Sequence, residues 1–334
     1  MHPAALVVAA TLAGVALGLD AVVEVDDRAV VVHIPECAAA APNASLPLVL
    51  SLHAWGSDAA TQQTVDNFGA LSEVGCFAVA WPQGLKHGWG PFVAGYQWNA
   101  GGCCPDPRGG ITGIDDVTFL SDVMDALRDT YPDTIHPTLN FVTGISNGGM
   151  MTNRLACELG ERVTAIAPVS GSVVNGTDEV GEPFECASAR PIPVLHFHGA
   201  SDPIVPYGGC NATWSSFCEP LSGCTCLEMH AMVDFADFAP VVESIDGWRA
   251  INGVLDGAAA RVSFENGTVT CTTFGDSAAT NVTLCVAADE GHAWPGTPDS
   301  VSTCEAPMFH CTQDIDASAQ IWAFFGSVRT ALGA

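Results

Sequence analysis

The sequence predicts an α/β fold, a mostly parallel central sheet flanked by helices, and three observations carry that prediction. Short β-rich runs alternate with helical segments along the chain. Leu46–His53 (LPLVLSLH) is apolar almost without interruption, the pattern of a central strand covered on both faces. Asp115–Thr130 sets Val117, Leu120, Val123, Met124 and Leu127 at helical spacing, as a helix laid on a sheet requires.

The remaining elements follow in order. Arg28–Pro35 (RAVVVHIP) reads as a strand, Ala59–Val74 as a helix and Phe77–Trp81 as another strand. Strand Leu139–Thr143, helix Gly148–Leu159 and strands Val163–Val169 and Ile192–His198 come next. Glu243–Ile251 is helical in pattern, Val282–Ala288 is a strand and Ile315–Leu332 is a closing helix. No internal repeat or low-complexity linker interrupts the series, so residues 19–334 are expected to form one domain. The unusual stretch is Cys210–Cys226, which also holds Cys218 and Cys224. It is expected to be a disulfide-stapled insertion, at about residues 208–238, rather than a zinc site.

Composition narrows the function. The 334 residues carry 37 Asp plus Glu against 10 Lys plus Arg, a net charge of −27, with Lys86 the single lysine. A nucleic-acid binder needs a basic stripe to displace phosphate counterions, and docking on an anionic membrane needs the same; neither partner is expected. With 48% hydrophobic and 14% charged residues the chain can bury a large core, which excludes intrinsic disorder.

Ala4–Leu19 is uncharged but short of the ~20 apolar residues of a spanning helix. It fits a signal-peptide core, with Ala16-Leu17-Gly18 as the cleavage site, so residues 1–18 are expected to be removed. The segment before it carries His2 and the α-amino group in place of the usual Lys or Arg. Export also agrees with the 14 cysteines and with Asn-x-Ser/Thr sequons at Asn43, Asn175, Asn211, Asn266 and Asn281. A secreted, disulfide-bonded glycoprotein is the expectation.

One constellation carries chemistry. Gly144-Ile145-Ser146-Asn147-Gly148 falls where a predicted strand runs into a predicted helix, the context in which a strained turn projects a serine above a sheet. Asp202 follows the strand ending at His198, and His292 follows the strand ending at Ala288, in Gly291-His292-Ala293-Trp294-Pro295-Gly296. All three lie just beyond strand ends, where parallel sheets assemble their sites. Singly, Asp202 could be a turn former and His292 an ordinary loop histidine; the shared placement and the order Ser, Asp, His favour a triad. His196 and His198 lack a third ligand at metal spacing and read as core histidines. No Gly-rich phosphate loop follows the first strand, and no metal or cofactor is expected.

GISNGGMM (Gly144–Met151), HFHGASDPIVPY (His196–Tyr207), WNAGGCC (Trp98–Cys104) and GHAWPG (Gly291–Gly296) resemble motifs of secreted feruloyl esterases and polyhydroxybutyrate-depolymerase-like esterases. The resemblance runs from about Arg28 to the C-terminus. It implies the α/β-hydrolase fold and an esterase acting on feruloylated polysaccharide, acetylated xylan or aliphatic polyester. It also implies Ser146 as nucleophile, His292 as general base and Asp202 as its orienting carboxylate. Asn147 N–H and Trp55 N–H would form the oxyanion hole, although a Trp55 that merely covers the core is the competing reading. The family usually has Gly where this chain has Ala54, so a positive φ there would strain the loop. Trp98, Asn99 and Trp294 are candidates for the substrate cleft, with a structural aromatic beside a disulfide the alternative for Trp98. Outside the feruloyl reading stand an extracellular poly(3-hydroxybutyrate) depolymerase and a catalytically inactive hydrolase-like binding protein. The intact Ser146, Asp202 and His292 argue against the last.

Overall fold

In a computed structural model the β-rich runs pair into one ten-stranded sheet. The structure describes residues 18, 20–40, 45–89, 93–101, 103, 113–174, 176–177, 183–184, 186, 190–209, 239–254, 260–298, 304 and 309–334. Most of the expected leader, Cys104, the Cys210–Cys226 segment and the sequons at Asn43, Asn175 and Asn211 lie outside the described residues.

The N-terminal half comprises β1 Asp20–Val25, β2 Arg28–His33, α1 Cys37–Ala40, β3 Leu46–Leu52, α2 Ala59–Asp66, α3 Phe68–Gly75 and β4 Ala78–Pro82. The hairpin β5 Leu85–Trp89 and β6 Val93–Gln97 precedes α4 Asp116–Thr130, β7 Ile135–Ile145, α5 Asn147–Glu158 and β8 Ala165–Val169. After the short pair β9 Gly176–Thr177 and β10 Pro183–Phe184 come β11 Val194–Gly199 and α6 Val241–Ile251. The chain closes with β12 Arg261–Asn266, β13 Val269–Phe274, β14 Val282–Ala287 and α7 Ala317–Ala331.

Sheet order is β1-β2-β4-β3-β7-β8-β11-β14-β13-β12. The six strands from β4 to β14 run parallel, while β1, β2, β13 and β12 add antiparallel edges. Every residue of β3 is buried, as its unbroken apolar run requires. Its side chains alternate between two cores. Leu48, Leu50 and Leu52 join Leu120, Val123, Met124 and Leu127 of α4, Leu155 of α5 and Trp248 of α6. Val49 joins Phe68 of α3 and Ile321, Phe325 and Val328 of α7 on the opposite face.

The predicted helix over Ala59–Val74 is two helices. Asn67 between them takes φ 52, and its N–H caps Gln63 O. The buried Asp66 carboxylate reinforces the break by accepting from Phe68 N (2.9 Å), Ser51 Oγ (2.6 Å) and Trp81 Nε1 (2.9 Å). Burial outweighs these bonds and pushes Asp66 up to about 6.

Disulfides Cys37–Cys76, Cys157–Cys186, Cys271–Cys285 and Cys304–Cys311 clamp described segments, and Cys103 is also disulfide-bonded. Of the two described sequons, Asn266 is exposed. Asn281 is 9% exposed, with its Oδ1 unpartnered.

Candidate active site

Ser146 follows β7 and begins the turn into α5 with φ 58 and ψ −123, a conformation costing on the order of 1–3 kcal/mol for a non-glycine residue. Ser146 N donates to Val169 O at 2.9 Å, and Ser146 O accepts from Met150 N at 2.9 Å, so sheet and helix hold the turn from both sides. A Cβ on Gly148 would lie 2.2 Å from Leu52 O and 2.6 Å from His53 O. Glycine here lets α5 sit directly against the end of β3. Gly148→Ala is therefore expected to lower stability by about 1–3 kcal/mol, measured by denaturant melting, through overpacking.

Asp202 lies in the turn after β11 and is 4% exposed. Its Oδ1 accepts from Ile204 N (2.8 Å) and Val205 N (2.9 Å), and its Oδ2 accepts from His292 Nδ1 (2.8 Å). Burial pushes this carboxyl upward, but the charge of His292, the hydrogen bond from it and the flanking donors hold it below its ordinary value. An ionised Asp202 fixes the proton of His292 on Nδ1 and leaves Nε2 as an acceptor.

The histidine loop is pinned to the following segment by Gly291 N to His310 O (3.1 Å) and Gly296 N to Thr312 O (2.9 Å). Phe309 sets its ring 6.4 Å from that of His292.

Adjacent strands β7, β8, β11 and β14 carry these residues on one sheet edge. Ser170, just after β8, bridges them: its Oγ donates to Ala293 O at 3.3 Å, next to His292. The following Gly171 packs so closely that a Cβ there would lie 2.4 Å from Ser146 O. Ser146 and His292 are each 8% exposed, so both reach the surface of this edge.

The loop after β3 resolves the question of strain at Ala54. Among described residues the positive φ in this loop belongs to Gly56 (75°), not to Ala54, so Ala54 carries no left-handed strain. Asn147 is the first residue of α5, where an N–H has no acceptor within the helix. Trp55 is half-buried, with its Nε1 donating to Gln97 Oε1 at 2.8 Å.

The three cleft candidates pack into the core, and for Trp98 this favours the structural reading. Trp98 is 0%, Asn99 2% and Trp294 2% exposed, so their side chains are packed away from solvent. Trp98 Nε1 donates to His53 O at 3.0 Å, Asn99 Nδ2 to Ile114 O at 2.9 Å and Trp294 Nε1 to Ser318 Oγ at 3.0 Å. Their polar atoms serve the core rather than a ligand.

His196 and His198 are fully buried and held neutral. Burial lowers both; His198 lowers His196 further, while Asp202 pulls His198 back up. His198 Nε2 donates to Val205 O (2.8 Å), which leaves its Nδ1 to accept from His196 Nε2 (3.1 Å). They thereby buttress the turn that donates to Asp202. Among the described residues no group of three or more His, Cys, Asp or Glu is placed to hold a metal ion.

Sequence reasoning missed Glu290. It is 1% exposed, and neither carboxyl oxygen has a hydrogen-bond partner. Burial above all, then the charges of Asp202 and Asp289, pushes it up to about 9. Two positions before His292, it presents no pattern that a sequence would reveal.

A parallel run β4-β3-β7-β8-β11-β14, an antiparallel β2 beside it and a serine elbow after β7 define the α/β-hydrolase fold. The chain is related in sequence to feruloyl and acetylxylan esterases. It is 31% identical over 163 residues to feruloyl esterase B of Piromyces equi, covering 49% of this chain and 26% of that protein. It is 28% identical over 176 residues to a bifunctional acetylxylan esterase/xylanase of Neocallimastix patriciarum, covering 53% of this chain and 22% of that protein. The chain thus spans about a quarter of the length of these relatives. An acetyl xylan esterase from Aspergillus awamori aligns with TM-score 0.47 and 16% identity over 80% of this chain and 89% of that one. No family model matches the chain. Among described residues no helix is long and apolar enough to cross a membrane.

Proposed function

We propose that this chain is a secreted serine esterase that hydrolyses feruloyl or acetyl esters of plant polysaccharide. The 2.8 Å bond between His292 Nδ1 and Asp202 Oδ2 carries the reading, because it leaves Nε2 free to act as a base on the sheet edge that bears Ser146. The related esterases supply the substrate class. The disulfides among described residues support export to an oxidising compartment; residues 1–18 would be the leader, and Asn266 and Asn281 are the described candidates for glycosylation.

In this mechanism Ser146 Oγ attacks the ester carbonyl carbon while His292 Nε2 takes its proton. The N–H groups of Asn147 and Trp55 receive the oxyanion. Collapse breaks the C–O bond to the alcohol, which leaves with the proton from His292. Water, deprotonated by His292, then cleaves the acyl-enzyme, releasing the acid and restoring Ser146.

The test is covalent labelling with a fluorophosphonate, followed by rates on soluble feruloyl ester, acetylated xylan and polyhydroxybutyrate film. An adduct on Ser146 with turnover of the first two supports the reading. Film clearing alone makes the chain a polyester depolymerase, and no adduct makes it an inactive binding protein.

The net charge of −27 gives a further expectation. A negative field repels the carboxylate product, so inhibition by added ferulate should strengthen between about 0.01 M and about 1 M salt, where the Debye length falls from roughly 30 to 3 Å. Initial rates on neutral esters should change little across the same range.

A further inference from the structure

The two halves of the oxyanion hole come from distant parts of the chain, and something must fix their separation. We infer that Gln97 and Trp98, at the end of β6, are positioning residues that set the N–H of Trp55 against the N–H of Asn147. This rests on the ester-hydrolase reading above and deepens it.

Three successive contacts pin the oxyanion loop to this strand end. Gly56 N donates to Tyr96 O at 2.8 Å, Trp55 Nε1 to Gln97 Oε1 at 2.8 Å and Trp98 Nε1 to His53 O at 3.0 Å. The approach is close: a Cβ on Gly95 would lie 2.5 Å from Gly56 Cα. The Trp98 and His53 rings add a tilted contact at 4.9 Å between centroids.

On its other side Trp98 is gripped by the nucleophile elbow. Asn147 Oδ1 accepts from Trp98 N at 2.8 Å, and Asn147 Nδ2 donates to Trp98 O at 3.0 Å. The side chain of the residue that supplies one donor therefore holds the residue that anchors the loop supplying the other. Trp98 is itself fixed from behind. Asn99 N donates to Asp116 Oδ2 at 2.6 Å, and Arg154 Nη1 donates to Asn99 O at 2.8 Å.

The loop end is equally determined. Burial lowers His53 to about 4, so its ring is neutral. Its Nδ1–H donates to Ala54 O at 2.8 Å, and its Nε2 accepts from Gly84 N at 3.0 Å and Gln83 Nε2 at 3.1 Å.

Donors preorganised in this way act on charge that develops only in the transition state, so loosening the brace lowers kcat rather than binding. Trp98→Phe removes the indole N–H and keeps an aromatic ring. It is expected to lower kcat on a soluble feruloyl ester about tenfold with KM within about twofold, less than the 10²–10³ of deleting a donor. Affinity for a boronic acid that mimics the tetrahedral state should fall by the factor lost in kcat/KM, and affinity for the product acid should not change. Gln97→Met, which removes only the acceptor for Trp55, should move the same quantities in the same direction. The double variant should lose less than the product of the two single losses, because both act through one loop. Circular dichroism and Tm establish that each variant is folded, and either single variant alone suffices if the other is unstable. Parental kcat and boronate affinity in a folded variant overturn the inference, as does a loss carried by KM alone. An unlabelled parent with no ester turnover overturns the underlying reading and this inference with it, a result distinct from an active parent with an indifferent variant.

Discussion

Replacing Ser146 by Ala should leave a folded protein whose kcat on a soluble feruloyl or acetyl ester is lowered by about 10⁴–10⁶, the range seen when a triad nucleophile is removed. Alanine keeps the Cβ, so the turn at φ 58 persists, and the two backbone hydrogen bonds through Ser146 N and O do not involve the side chain. Tm should therefore stay within a degree or two of the parent, and fluorophosphonate labelling should vanish. Asp202→Asn gives the companion result. The amide can still accept through Oδ1 from Ile204 and Val205 N–H, yet its NH₂ can face His292 Nδ1 and force the wrong tautomer. A loss of about 10⁴ in kcat is expected for that reason. Unchanged turnover in Ser146→Ala would remove Ser146 from the mechanism and leave the elbow as a structural turn.

Ser146, Asp202 and His292 stood out as candidates because each sits in a local pattern with a geometric cause. Gly144 and Gly148 flank Ser146 since neither position has room for a side chain against Leu52 O. Asp202 and His292 follow strands whose apolar runs end abruptly in turn residues. The roles of Trp98, Asn99 and Trp294 were not legible. An aromatic or amide in a Gly-rich loop reads as cleft-lining, and only the packed structure shows that His53, Asn147, Asp116 and Ser318 enclose those groups. The break at Asn67 was hidden for a related reason. The apolar spacing of Ala59–Val74 continues across it, while the left-handed residue is stabilised by Asp66, whose partners Ser51 and Trp81 lie on other strands. Strand β12 escaped because all but one of its residues are exposed and one is half-buried, so it has no alternation to detect. Where pattern and burial coincide, as in β3 and α4, the sequence alone sufficed.

Glu290→Gln should stabilise the protein at alkaline pH and leave it nearly unchanged near pH 5. In the fold this carboxyl is pushed up to about 9 from an ordinary 4.5, first by burial and then by the charges of Asp202 and Asp289. A group whose pKa is raised on folding contributes its stabilisation in full below the unfolded value, and loses it as pH rises through the folded one. Between about pH 4.5 and 9 the unfolded chain has released this proton and the native chain has not, so native stability falls across the whole window. Each unit is worth about 1.4 kcal/mol, so the total reaches several kcal/mol. Glutamine has the same shape and no proton to release, and the slope should flatten in the variant. The groups around the carboxyl point the same way. Asp289 on its own loop and Asp202 on the neighbouring turn both oppose its ionisation, and neither oxygen has a donor to offset them. Thermal melts of parent and variant at pH 5, 7 and 9 read the effect, with the Tm gap widening by roughly 2–4 °C per kcal/mol toward pH 9. A gap that stays constant across the three pH values would mean that Glu290 is already ionised in the native protein. Its carboxylate would then need a donor that the described residues do not supply.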